Sequence, residues 1–155
     1  MSVKDGSAFT FESGNCSTHN KSIAQLCSNG YIDANSTAGK LWPNYDAARA
    51  HLGGSWRLPT SAELVTLISN CTREWTVQNG VNGCLVTGKG TYSSKSIFLP
   101  AASDPSTGVY WSSAPSSDLD PQLAMNVVFN SIGQCFLSRS NRWQGFSVRA
   151  VRDAK

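Results

Sequence analysis

Five cysteines, two histidines and, among ten Asp and Glu, the closely spaced Asp118 and Asp120 are the side chains of this 155-residue chain whose types and spacing could do chemistry. The cysteines stand at positions 16, 27, 71, 84 and 135. None forms Cys-x-x-Cys, the spacing of zinc ribbons and thioredoxin-type redox sites. Two readings of them stay open. Cys16 with Cys27 and Cys71 with Cys84 are local enough to be bridged in an oxidising compartment. The second bridge would close a loop of roughly 14 residues and add about 3 kcal/mol in the chain-entropy model. In a reducing compartment the same residues are free buried thiols. Cys135 has no local partner.

His19 falls in a polar loop and His51 in an alanine-rich helix. Neither stands beside a serine or cysteine nucleophile, and Gly-x-Ser-x-Gly is absent. Asp118 and Asp120 are close enough to share a cation, but without the spacing of an EF-hand loop. "GKGTYSSKS" lacks the spacing of a phosphate-binding loop and reads as a turn. The residues therefore assign no catalytic group, no metal and no cofactor.

The elements that would have to position a site are loops and strands more than helices. Charged residues are 15% of the chain and glycines number 13, a balance that suits strands and turns. The length fits one domain with one real core. The formal charge of +3 comes from 13 scattered Lys and Arg, a pattern of solubility rather than of nucleic-acid binding. No run of about 18 apolar residues spans a membrane, and "MSVKDGSAFTFESGNC" lacks the pattern of a signal peptide.

Residues 1 to about 40 read as loops with short strands. A helix is expected near Tyr45–Leu52, closed by Gly53. A second opens at Thr60, where Glu63 three residues on completes a capping box, and packs through Leu64, Leu67, Ile68 and Cys71 at helical spacing. Two Asn-Gly pairs in "TVQNGVNGCLVTGKG" signal turns. "SIFLPAA" and "VYWSS" read as strands, with Trp111, like Trp56, placed in the core. From Leu123 to Phe129 the odd positions are Leu, Met, Val and Phe, while Asn126, Val128 and Asn130 stand at even ones, the alternation of a strand with one buried face. "GQCFLSR" repeats it, with Cys135 and Leu137 inward and Phe136 and Ser138 outward. "GFSVRAV" adds Phe146, Val148 and Ala150 on one face, so the last third is expected to be a three-stranded antiparallel meander.

Five blocks, "GGSWRLPTSAEL", "NGVNGCLVTGKG", "IFLPAA", "VYWSS" and "GFSVRAVR", occur in the order of the Fibrobacter-type major paralogous domain family, which the chain resembles over about residues 31–152. That resemblance implies an α+β, C-type-lectin-like fold in a single domain, with two helices, a small, mostly antiparallel twisted sheet and long loops. It is similar also to the formylglycine-generating enzymes. Their redox-active cysteine pair is not matched, because only Cys135 stands in the corresponding region, so no enzyme activity is expected. The Glu-Pro-Asn and Gln-Pro-Asp signatures of calcium-dependent sugar binding are absent too.

Within the family, the segment 110–152 resembles the variable region of diversity-generating retroelement proteins, in which a fixed framework carries rewritten solvent-facing positions. The implied function is binding of a protein or glycan receptor on a target surface, at a cell surface or on a virion. A fixed adhesin or a pilus or virion interaction domain of the same fold is the alternative. The residues expected to meet the ligand are Ser116, Ser117 and Asp118 in the loop after "YWSS", Asn126, Val128 and Asn130 on one strand, Phe136, Ser138 and Ser140 on the next, and Trp143 and Gln144 in the closing turn. Phe136 and Trp143 would be rigid apolar anchors among adaptable hydrogen-bonding groups, the mixture of a paratope.

Overall fold

A computed structural model describes residue 41 and residues 45–102, 104–117, 120–142 and 144–153. The expectations for the first 40 residues, including Cys16, Cys27 and His19, lie outside them, as do Asp118 and Trp143. Among the described residues the chain is α+β, with two helices and two small antiparallel three-stranded sheets rather than one.

Helix α1 (Ala47–Leu52) starts at Asp46, whose Oδ1 accepts the Ala48 and Arg49 amides, and ends on Gly53 at φ 68°. Asp46 also accepts the Leu58 amide on both oxygens, at 3.1 and 2.8 Å. One buried carboxylate thus caps the helix and tethers the segment that follows it. Burial pushes its pKa above the ordinary value, against the pull of these amides.

Helix α2 (Ser61–Asn70) carries the expected capping box: the Glu63 amide donates to Thr60 Oγ1 and the Thr60 amide to Glu63 Oε2. Arg57 grips the same carboxylate with both terminal nitrogens, at 2.8 and 2.7 Å, and reaches Asp153 at 2.7 Å. A two-way backbone bridge between Arg57 and Val151 completes the clasp between the start of α2 and the C-terminal segment.

The Arg57 hydrogen bonds, ahead of the smaller opposing effect of burial, hold the Glu63 carboxyl down at about 2. A folded-state pKa below the unfolded one contributes stability that is present above pH 4.5 and is lost as pH falls toward 2. Glu63→Gln is therefore expected to flatten the acid limb of a melting-temperature profile between pH 4.5 and 2. An unchanged acid limb would show that Glu63 is not linked to folding. The effect is screened, since the side chain is partly exposed.

In the first sheet β1 (Cys71–Gln78), β2 (Val81–Gly88) and β3 (Ser96–Pro100) run antiparallel in that order. The β1–β2 hairpin turns on Asn79 and Gly80, both at positive φ (51° and 79°), as a two-residue turn requires. The second Asn-Gly pair is not a turn. Gly83 lies inside β2, where a Cβ would stand 2.5 Å from the Leu99 carbonyl oxygen and 2.6 Å from the Phe98 ring. That glycine answers to close packing, not to chain reversal.

The register also removes one disulfide reading. Cys71 faces Gly88 while Cys84 faces Trp75, four residues along β1. At about 3.3 Å per residue this is roughly 13 Å, beyond the ~7 Å that a bridge tolerates. Cys71, Cys84 and Cys135 are free.

The second sheet has the order β4 (Thr107–Ser117), β5 (Asp120–Asn130), β6 (Cys135–Asn141). This is the antiparallel meander, with a different membership from that expected. "VYWSS" supplies its first strand. The "GFSVRAV" segment instead lies alongside β4 through a single parallel bridge, Tyr110 with Ser147. Val148, expected inward, is exposed.

The main core lies between the sheets and α2. Leu64, Cys84, Val86, Leu99, Tyr110, Val127 and Phe129 are buried there, with Cys135 and Leu137 packed on them. A second cluster covers the opposite face of the meander: Ala48, Leu58, Trp111 and Ala124, backed by Phe146 and Ala150. Trp56, expected in the core, is instead half-buried, with the Arg152 guanidinium 5.1 Å from its ring centre.

Candidate functional site

Cross-strand partners share a face of a sheet, so the register of the meander sorts the expected contact residues. One face carries Thr107, Val109 and Trp111 of β4, Ala124, Asn126, Val128 and Asn130 of β5, and Phe136, Ser138 and Ser140 of β6. The strand alternation therefore brings the β5 and β6 candidates together, as expected.

The alternation does not make that whole face open. At one end it is roofed by the cluster containing α1, Leu58, Phe146 and Ala150. Asn126, read as an outward contact residue, is 0% exposed and cannot touch an external ligand in this arrangement. Ala124 is buried with it. A period-2 pattern shows that a strand has two faces; it does not show that a second layer covers part of the polar one.

At the other end the face is open. A row Val109–Val128–Phe136 crosses the three strands. Val109 and Val128 are half-buried and Phe136 is 46% exposed. Ile132, at the tip of the β5–β6 turn, is the most exposed large apolar side chain among the described residues. Ser138, opposite Asn126, is half-buried next to this row, while Ser140, opposite Ala124, lies at the roofed end.

Asn130 is on the same face, but its amide belongs to the turn. Its Nδ2 donates to Gln134 Oε1 at 2.8 Å and its Oδ1 accepts the Gln134 amide at 3.0 Å. Its side chain pins the hairpin.

Gln144 is half-buried, and its backbone carbonyl accepts the Trp111 indole N–H at 3.3 Å. It stands beside the roofed end. Ser116 has the opposite parity to Pro115, the residue paired with Ala124, so it does not join the row. Ser117 pairs with Asp120 where the β4–β5 ladder ends. The contact set thus divides into an open apolar row with polar neighbours on β5–β6, and residues that lie elsewhere.

Val109 and Thr107 join this face, and Ile132 the adjoining turn, without a signal in the sequence that marks them as contact residues. The parity of Thr107, Val109 and Trp111 was legible, but the identity of the strand beside β5 was not.

Burial pushes the Cys135 thiol above its ordinary pKa, and Cys84 likewise, so the reactive thiolate is suppressed. Among the described residues no group of three His, Cys, Asp or Glu could hold a metal ion, and no helix is long and apolar enough to cross a membrane. Compared with protein-family models, curated proteins and solved structures, the chain matches none.

Proposed function

We propose that this chain is a non-catalytic, C-type-lectin-like binding domain that presents the open half of its C-terminal meander to a receptor protein on a target cell surface. The observation that carries the proposal is the exposed Phe136 at the end of the Val109–Val128–Phe136 row. A half-exposed aromatic on a rigid sheet, with apolar neighbours and a serine at its margin, is the composition of a binding hot spot with a polar rim. A protein epitope suits it better than a glycan, because the row offers apolar area without the carboxylates and free amides that sugar hydroxyls demand.

The resemblance to retroelement variable proteins adds that the row is a diversified surface. Val128, Phe136 and Ser138 are the positions of the open row that this reading would let vary. A fixed adhesin of the same fold is the second reading. It is favoured by Asn126 and Asn130, two of the supposed outward positions of β5, which are held by burial and by the turn.

A display library randomised at Val128, Phe136 and Ser138 separates the two. The diversified reading expects most members to stay folded, with melting temperatures within a few degrees of the parent, and to yield binders to an unrelated protein target. A library that mostly unfolds, as one randomised at Phe129 is expected to do, would overturn it. In the genome, a reverse-transcriptase gene beside a near-copy of codons 110–152 differing only at adenines is the matching signature.

A further inference from the structure

The least ordinary residue of the meander is Asn126. Its side chain is 0% exposed, and neither Oδ1 nor Nδ2 has a hydrogen-bond partner in the protein. A primary amide brings two donors and an acceptor with two lone pairs. Nearly all such buried groups in native proteins are satisfied, by protein or by ordered water. The Ser113 hydroxyl is in the same position: 1% exposed, with no partner for Oγ.

The two residues meet at one irregularity, Ser113 within it and Asn126 beside it. Trp111 pairs with Asn126 and Pro115 with Ala124, so Ser112, Ser113 and Ala114 of β4 stand opposite Met125 alone. The excursion is internally tied. Ser112 Oγ donates to the Met125 carbonyl and accepts the Ala114 amide, while the Ser113 amide turns away to the Pro59 carbonyl. A bulge of this kind parts the ladder and redirects side chains. Ser113 stands two residues along β4 from Trp111, the cross-strand partner of Asn126, and both side chains are buried where α1 and the C-terminal segment cover Trp111 and Ala124.

We infer that Asn126 and Ser113 hold an ordered internal water at this bulge. The ligand is neutral, because the site presents donors and acceptors together. An anion would leave the Oδ1 acceptor unpartnered, and a cation lacks carboxylates, since no metal-holding group occurs among the described residues. Water with two to four polar partners meets the demand. The role of Asn126 is then to seat a bridging solvent molecule between the sheet and its cover, not to contact a receptor.

Oxygen-17 and deuterium relaxation dispersion on the whole chain counts long-lived internal waters. The parent is expected to show a long-lived component whose amplitude falls by about one molecule in Asn126→Leu and again in Ser113→Ala. A high-resolution crystal structure of the parent is expected to place a water within hydrogen-bond reach of Asn126 Oδ1 or Nδ2. If Asn126→Leu does not fold, the parent and Ser113→Ala carry the same comparison. An unchanged amplitude in Ser113→Ala, or a parent without a long-lived component, overturns the inference. Neither outcome bears on receptor binding, since both side chains are buried.

Discussion

Phe129→Ala is expected to destabilise the chain by about 3–5 kcal/mol, the usual cost of truncating a fully buried aromatic. For a chain of this length that lowers the melting temperature by roughly 6–20 °C. Phe129 is 2% exposed and lies between two rings, with centroids 5.6 Å from Tyr110 and 6.1 Å from Trp75. Tyr110 is anchored in turn, its hydroxyl donating to the Pro100 carbonyl at 2.9 Å. The ring therefore joins the meander to the first sheet, and its loss leaves a cavity lined by side chains from both.

Gly108 reports on the same packing from the other side. A Cβ there would collide with the Phe129 ring itself. Gly108→Ala should therefore destabilise, and less so once Phe129 is already alanine. Thermal or urea denaturation of the two single variants and the double measures that coupling. A Phe129→Ala chain that melts within a few degrees of the parent would show that the two sheets are not held together through this residue.

The second large effect is expected at Phe136, one step from Phe129 across the β5–β6 ladder and on the opposite face. Phe136→Ala should lower the melting temperature far less than Phe129→Ala, because the ring is already 46% exposed and less apolar area leaves the interior. Its effect should appear in binding. Truncating a central aromatic anchor typically costs about 2 kcal/mol or more, roughly a 30-fold loss of affinity. The measurement is titration of a partner selected against the parent chain, run beside a melting curve. A variant that melts early but binds normally would reverse the assignment and make Phe136 a packing residue. Ser138→Ala, at the margin of the row, should lose far less affinity than Phe136→Ala.

Phe129 and Phe136 also show what the sequence supports on its own. Their opposite fates were legible, because period-2 alternation separates inward from outward side chains on a strand whatever it packs against. The same local logic placed both helices. Thr60 and Glu63 satisfy the first amides of α2, Gly53 ends α1 in a conformation that few other residues adopt, and these bonds lie within a few residues of one another. Strand β3, ending at Pro100, was readable for the same reason.

What the sequence left open was every choice that depends on distant partners. Asn126 reads as outward because it is polar and even-numbered; it is buried because α1 and the C-terminal segment fold over that end of the sheet. Gly83 reads as a turn because it follows an asparagine; it is a strand residue because β3 lies against it. "GFSVRAV" reads as a third meander strand, while β4 takes that place and the segment joins the sheet through one parallel bridge. Local hydrogen bonds and side-chain parity are written in neighbouring residues. Which strand lies beside which, and which face receives a second layer, is decided only when elements far apart in the chain compete for the same apolar surface.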